Sequence, residues 1–165
     1  MKKYKVKGMR YKVKGRRFFF LCSLFFVNCY LFSQSAQVLE TLLEREAVSY
    51  QDAALLVLDA AELINGSIDQ IDPADVFRFA MENNMLPRKA ESNNAATYEG
   101  LSLLVMRAFG FRGGLFYSIF QNPHYAYREM VYKNIIQGYS DPKMIVTGEE
   151  LLFIVNRAMF LSGNN

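Results

Sequence analysis

Three stretches decide the fold: Ser49-Tyr50-Gln51-Asp52-Ala53-Ala54-Leu55-Leu56-Val57-Leu58-Asp59-Ala60, Thr97-Tyr98-Glu99-Gly100-Leu101-Ser102-Leu103-Leu104-Val105-Met106-Arg107-Ala108 and Thr147-Gly148-Glu149-Glu150-Leu151-Leu152-Phe153-Ile154-Val155-Asn156-Arg157-Ala158. Apolar residues fall at Ala53, Leu56, Val57 and Ala60, at Leu101, Leu104, Val105 and Ala108, and at Leu151, Ile154, Val155 and Ala158. That spacing of i, i+3, i+4 and i+7 puts one apolar stripe on each of three helices. Each run opens on a hydroxyl residue, Ser49, Thr97 or Thr147, whose oxygen can accept from an orphan N–H of the first turn. Ser49 with Asp52 and Thr147 with Glu150 have capping-box spacing, whereas Gly100 leaves the middle box without its acid.

Outward from these runs the chain repeats itself. An offset of 50 lays Asn84 on Asn134, Thr97 on Thr147, Glu99 on Glu149, Leu101 on Leu151 and Arg107-Ala108 on Arg157-Ala158 without a gap. An offset of 48 lays Ser49-Tyr50 on Thr97-Tyr98 and Leu55-Leu56-Val57 on Leu103-Leu104-Val105. Three units of about 50 residues follow, at roughly 38–64, 73–111 and 124–161. Shorter helices are expected at Asp75–Asn84, with Asp72-Pro73 as its cap and first position, and at Tyr125–Asn134; loops at Met85–Ala96 and Ile135–Val146 lead into the main helices. Units of this size cannot bury an apolar face alone and must stack or close on one another. The expectation is a single all-α domain of six or more helices over residues 36–165, long enough to fold without a metal or disulfide.

The segment Asn134-Ile135-Ile136-Gln137-Gly138-Tyr139-Ser140-Asp141, followed by Ile145-Val146-Thr147-Gly148-Glu149-Glu150 and Asn156-Arg157-Ala158, resembles the S-layer homology (SLH) domain. That family's repeat reads roughly G-I-I-x-G-Y-x-D, then I-T-R-A-E opening a helix, then an R-A pair near its end. The second unit resembles it through Met85-Leu86-Pro87, Thr97 and Arg107-Ala108-Phe109-Gly110, and the first mainly through its helix pattern. The resemblance implies three helix-loop-helix repeats closed into a pseudo-threefold bundle whose grooves bind cell-wall glycopolymers. It implies ligand contacts at Gly138, Tyr139, Asp141, Thr147 and Glu150. One departure stands out: the motif arginine, a main glycan contact in the family, falls on Gly148, Tyr98 and Tyr50. Tyr50, Tyr98, Tyr125 and Tyr127 are the candidates for stacking on a sugar or for an interface. The surviving Thr and Glu have a second explanation as a helix cap, and Gly138 as a positive-φ residue.

The N-terminus carries an address. Residues 1–35 hold nine Lys and Arg and no acid, and run into the apolar block Phe18–Phe32 and then Ser33-Gln34-Ser35. This is the order of a secretory signal peptide, with cleavage expected after Ser35; Met9 is an alternative start. A 15-residue block is short of the roughly 20 residues needed to span a bilayer, so an uncleaved anchor is the lesser alternative. Cys22 and Cys29, the only cysteines, lie in that block, and acylation at Cys29 is a further alternative. A mature chain has no thiol for a disulfide, a zinc site or a nucleophile. Its ten cations against sixteen acids give a net charge of −6, the reverse of the +3 of the whole chain. Nucleic acid and anionic lipid are therefore not expected ligands of the mature protein taken as a whole.

Other chemistry is sparse. His124 is the sole histidine and lacks the partners of a metal or catalytic site, and Asp69, Asp72 and Asp75 lack the Gly and closing Glu of a calcium loop. Gly110-Phe111-Arg112-Gly113-Gly114 has no preceding strand and no following G-K-[ST], so it reads as a helix stop rather than a phosphate loop. In the aromatic segment Leu115–Tyr132, Phe116 and Phe120 are expected to fill the core between the second and third units. No nucleophile, base and orienter occur together, so no enzyme and no cofactor are expected. The expected function is a non-catalytic exported envelope module, periplasmic or on the cell envelope, binding peptidoglycan or a wall-linked glycopolymer. The alternative is a degenerate repeat scaffold binding another exported or outer-membrane protein.

Overall fold

A computed structural model describes residues 40–64, 71–138 and 141–163. The signal-peptide, anchor and Cys29 readings, together with Tyr139 and Asp69, lie outside these residues. The described chain is all-α: α1 is Tyr50–Ala60, α2 Pro73–Glu82, α3 Tyr98–Ala108, α4 Leu115–Phe120, α5 Pro123–Tyr132 and α6 Gly148–Ser162. A helical turn at 40–43 precedes α1. The only extended pairings among the described residues are the isolated bridges Ser49–Ala95 and Thr97–Ile145.

Helix starts follow local chemistry. Ser49, Asp72, Thr97, Asn122 and Thr147 each hold an extended backbone at the N-cap and accept a first-turn N–H with the side chain. Pro73 and Pro123 take the first helical position, where a missing N–H costs nothing. The two shorter helices therefore begin and end two residues before the expected Asp75–Asn84 and Tyr125–Asn134. Asn84 and Asn134 are not helical: both have φ 55°, and the N–H groups of Met85 and Ile135 return to Ala80 and Met130 at 2.8 and 2.9 Å. This left-handed cap recurs at Glu62 and Gly110, so both offsets in sequence match an identical bend of the chain.

The centre of the domain is a closed ring of backbone hydrogen bonds. Val48 donates to Val146 at 3.0 Å, Val146 to Ala96 at 2.9 Å and Ala96 to Val48 at 2.7 Å. These residues directly precede the three N-caps and are at most 1% exposed, so the ring pairs three donors and three acceptors that water cannot reach. A second tier uses the orphan N–H of each main helix: Tyr50 donates to Asn94, Tyr98 to Met144 and Gly148 to Arg45 at 2.9–3.1 Å. The N-terminus of α1 thus grips the loop before α3, that of α3 the loop before α6, and that of α6 the segment before α1.

Packing follows the same cycle. α2 lies on α1 and α5 on α3, so each short helix packs against the main helix before it rather than the one after it. The expected unit of short helix, loop and main helix is continuous in sequence but opens out in space. α3 sits in the middle, with Leu101 through Met106 all buried; α6 buries Leu151, Ile154, Val155 and Ala158, the stripe expected from its spacing. In α1 the buried residues are Tyr50, Ala53, Ala54, Val57 and Leu58, while Leu56 and Ala60 are half-buried.

Candidate functional site

The three places of the family's motif arginine are all internal. The Tyr50 ring, 7% exposed, lies over Gly100, and a Cβ there would strike its phenol oxygen. Its hydroxyl hydrogen-bonds the Thr97 hydroxyl at 3.2 Å and accepts from the Thr97 N–H at 3.4 Å. The tyrosine of one helix thereby does for the α3 cap what Glu150 does for α6, and the absent side chain of Gly100 makes the room. Tyr98, 5% exposed, meets Tyr127 edge-on at 6.5 Å and donates its hydroxyl to Glu150. Gly148 faces the backbone of the turn at 40–43, where a Cβ would enter the Leu42 carbonyl. Tyr50, Tyr98 and the buried Tyr127 are therefore packing residues, which corrects the expectation that they stack on sugar.

Residues implied by the family resemblance are largely engaged by the fold. Gly138 has φ 84°, a conformation that glycine supplies at little cost. Asp141 accepts from the Lys143 N–H at 2.9 Å and shapes the turn beside it. Thr147 and Glu150 come together as a complete capping box: Glu150 Oε2 accepts from the Thr147 N–H at 2.9 Å, and Thr147 Oγ1 from the Glu150 N–H at 3.3 Å. Burial alone would raise the Glu150 pKa, but hydrogen bonds from the Thr147 N–H, the Tyr98 hydroxyl and the Thr147 hydroxyl outweigh it and hold the carboxyl below its ordinary range. At Ser49 the box is partial, and Asp52 is shared with the Arg45 guanidinium.

An open cavity of about 560 Å³ lies elsewhere, between the loop after α2 and the α4–α5 junction. Asn84, Leu86, Pro87 and Arg88 form one wall, Gln121, Asn122 and Pro123 another, and Leu103, Arg107 and Phe120 complete it. Arg107 builds the cavity by donating to the carbonyl of Asn84 and, at 3.2 Å, to that of Gln121. Both acceptors are left-handed residues at the C-terminal ends of α2 and α4, where a cation meets the negative ends of two helices. Arg107 thus serves its neighbours rather than its own helix. No acid lines the cavity; it offers two guanidiniums, three amides, two prolines and one aromatic ring. In α6, Arg157 lies 5.7 Å over the Phe153 ring and faces the side-chain amide of Gln137, whose oxygen accepts from it when turned towards the guanidinium.

The aromatic segment divides differently from expectation. Phe116 and Phe120 are exposed, whereas Tyr117, between them in α4, is buried. Both phenylalanines stack on half-buried Tyr125, at 5.7 and 5.4 Å. They do not fill the core; of this short helix only Tyr117 joins it. Burial, opposed by Arg107, pushes the Tyr117 phenol up. Among the described residues no three His, Cys, Asp or Glu side chains gather closely enough to hold a metal, and no helix is long and apolar enough to cross a membrane.

Arg88, Gln121 and Asn84 are not recognisable as one site from the residues alone, since the chain after α2 and the chain after α4 are brought together through Arg107. One signal was present: residues 100–128 hold three arginines and no acid in a domain otherwise rich in acids. No family model, no curated protein and no solved structure matches the chain.

Proposed function

We propose that the protein is a non-catalytic, exported cell-envelope module of the SLH type, with three degenerate repeats closed as a pseudo-threefold bundle, and that it binds peptidoglycan or a wall-linked glycopolymer. The three-membered ring through Val48, Ala96 and Val146, with one main helix leaving each member, supports the repeat reading. The observation that carries the binding reading is the acid-free cavity holding Arg88, Arg107 and the amides of Asn84, Gln121 and Asn122. Its volume falls within the range of about 300–1,000 Å³ typical of small-ligand clefts. Guanidinium and amide groups match the hydroxyls and carboxylates of a glycan, and the Phe120 ring offers a face for the C–H side of a sugar.

Binding is thereby moved from the motif-arginine positions, which the bundle uses for its own closure, to Arg88 and its neighbours. Local positive charge also answers the objection that a domain of net charge −6 repels an acidic wall polymer, because charges beyond about 8 Å are screened at physiological salt. The test is co-sedimentation of the purified protein, in mild detergent, with isolated sacculi before and after the attached polymers are stripped. Retention that Arg88→Ala and Asn122→Ser, which keeps a capping oxygen for α5, weaken about tenfold or more together supports the reading, and loss only after stripping identifies the polymer as ligand. Absence of sedimentation with either preparation refutes it in favour of the scaffold alternative.

A further inference from the structure

α4 is a six-residue helix whose apolar side chains point away from the protein. At about 100° per residue, Leu115, Phe116, Ile119 and Phe120 share an arc of about 140°. They are 72%, 58%, 63% and 56% exposed, so the four stand proud of the surface rather than lining a groove. Tyr117 roots the helix in the core, the Ser118 hydroxyl donates to the carbonyls of Gly113 and Gly114, and Tyr125 braces Phe116 and Phe120 from the side. The protrusion is thus held in shape without a partner. Side chains of this size in one contiguous cluster mark an interaction surface.

Charge selects the occupant. The helix lies within the 29-residue stretch 100–128 that contains no acid; the exposed Arg112 stands three residues before it, and the exposed Arg128 three residues after Tyr125, the ring on which Phe116 and Phe120 stack. Glu129, which ends this stretch, has its carboxylate against Gly114, the N-cap of the helix. Raised apolar side chains with two exposed arginines close by in the chain suit a bilayer interface with anionic headgroups: the apolar tips enter the acyl boundary while arginines remain with the phosphates. The whole-domain charge of −6 does not forbid this, because exposed charges farther than about 8 Å are screened at physiological salt and the stretch that carries the helix holds none of the acids.

We infer that the Leu115–Phe120 protrusion is a membrane-docking element that inserts into the surface of an anionic bilayer, independently of the N-terminal apolar block and of any ligand in the cavity. The domain would then lie against a membrane face with its cavity, which shares Phe120 with the protrusion, at the membrane edge.

The chain contains no tryptophan, so a single introduced indole reports on one place. The full chain is prepared as Phe116→Trp and, for reference, as Phe160→Trp, another exposed ring on α6. Each is mixed with vesicles of phosphatidylcholine alone or with phosphatidylglycerol, and quenched by acyl chains brominated at known depth. Because the readout is local, insertion of the Phe18–Phe32 block does not mimic it. The expected result is a blue-shifted, bromine-quenched signal for Phe116→Trp on phosphatidylglycerol vesicles, weakened by added salt. Leu115→Asp with Ile119→Asp, both at exposed positions, abolishes it while far-ultraviolet circular dichroism stays unchanged, and Phe160→Trp does not respond. The inference is overturned by an unshifted Phe116→Trp signal, by equal responses on the two vesicle compositions or at the two positions, or by a shift that grows with protein concentration without lipid, which would assign the protrusion to a second copy.

Discussion

Gly100→Ala should change sign as a stability mutation depending on what occupies position 50. In the native protein the added Cβ meets the phenol oxygen and the adjoining ring carbons of Tyr50. The ring is 7% exposed and cannot simply swing into solvent. Overpacking of this kind costs about 1–3 kcal/mol. Moving the ring also strains its hydrogen bonds to Thr97, worth about 1 kcal/mol more. Against this, alanine is better than glycine within a helix by about 1 kcal/mol. The net expectation is destabilisation of about 1–3 kcal/mol. In a Tyr50→Leu background the shorter side chain does not reach Gly100, the clash is gone, and Gly100→Ala should stabilise by up to about 1 kcal/mol. The coupling between the two sites is then about 2–4 kcal/mol, far beyond the roughly 0.5 kcal/mol within which independent sites add. Urea unfolding followed by far-ultraviolet circular dichroism on the four proteins of this cycle measures it. If Gly100→Ala has the same effect in both backgrounds to within that margin, the idea that Tyr50 substitutes for the missing acid of the α3 cap is refuted.

Gly148→Ala should already destabilise by about 1–3 kcal/mol, because its Cβ enters the Leu42 carbonyl, and Gly148→Arg should unfold the closure at 40–43 rather than restore a glycan contact; a neutral Gly148→Ala in the same urea assay would contradict that packing. Glu150 has a lowered pKa in the folded protein, so its contribution is complete above the unfolded-state value and disappears as pH falls through the folded one. Glu150→Gln should therefore lower stability at neutral pH and match the wild type in strong acid, read from melting temperature against pH; an undiminished gap in acid would show that the cap does not depend on the carboxylate. Arg107→Ala leaves the carbonyls of Asn84 and Gln121 without their shared cation and should both destabilise the protein and weaken sacculus binding, whereas Arg88→Ala, at an exposed residue, should weaken binding with stability unchanged to within about 0.5 kcal/mol.

Helix beginnings were legible in the residues because capping is short-range chemistry: Ser49, Asp72, Thr97 and Thr147 act within three positions of themselves. Helix ends were less so, since Asn84 and Asn134 continue a helical pattern in composition while their backbones have already turned left-handed. The spacing of Phe116 and Phe120 indicated a shared face, but spacing carries no information on whether anything covers that face. Tyr50 and Tyr98 look like free aromatic residues until the next helix is placed beside them. The third position of the following main helix was the signal in both cases: Gly100, which leaves room for the Tyr50 ring, and Glu150, which accepts from the Tyr98 hydroxyl. The cavity was not legible at all, because Asn84 and Gln121 meet through Arg107, across 23 and 14 residues of chain.

The relocation of the binding site is the claim on which the functional account rests, and a nuclear magnetic resonance titration of the isotope-labelled protein with soluble sacculus fragments tests it most directly. The account expects the resonances of Arg88, the Arg107 guanidinium, and the Gln121 and Asn122 side-chain amides to move together and saturate. Shifts confined to Gly138, Asp141, Thr147 and Glu150, or no saturable shift at all, would contradict it.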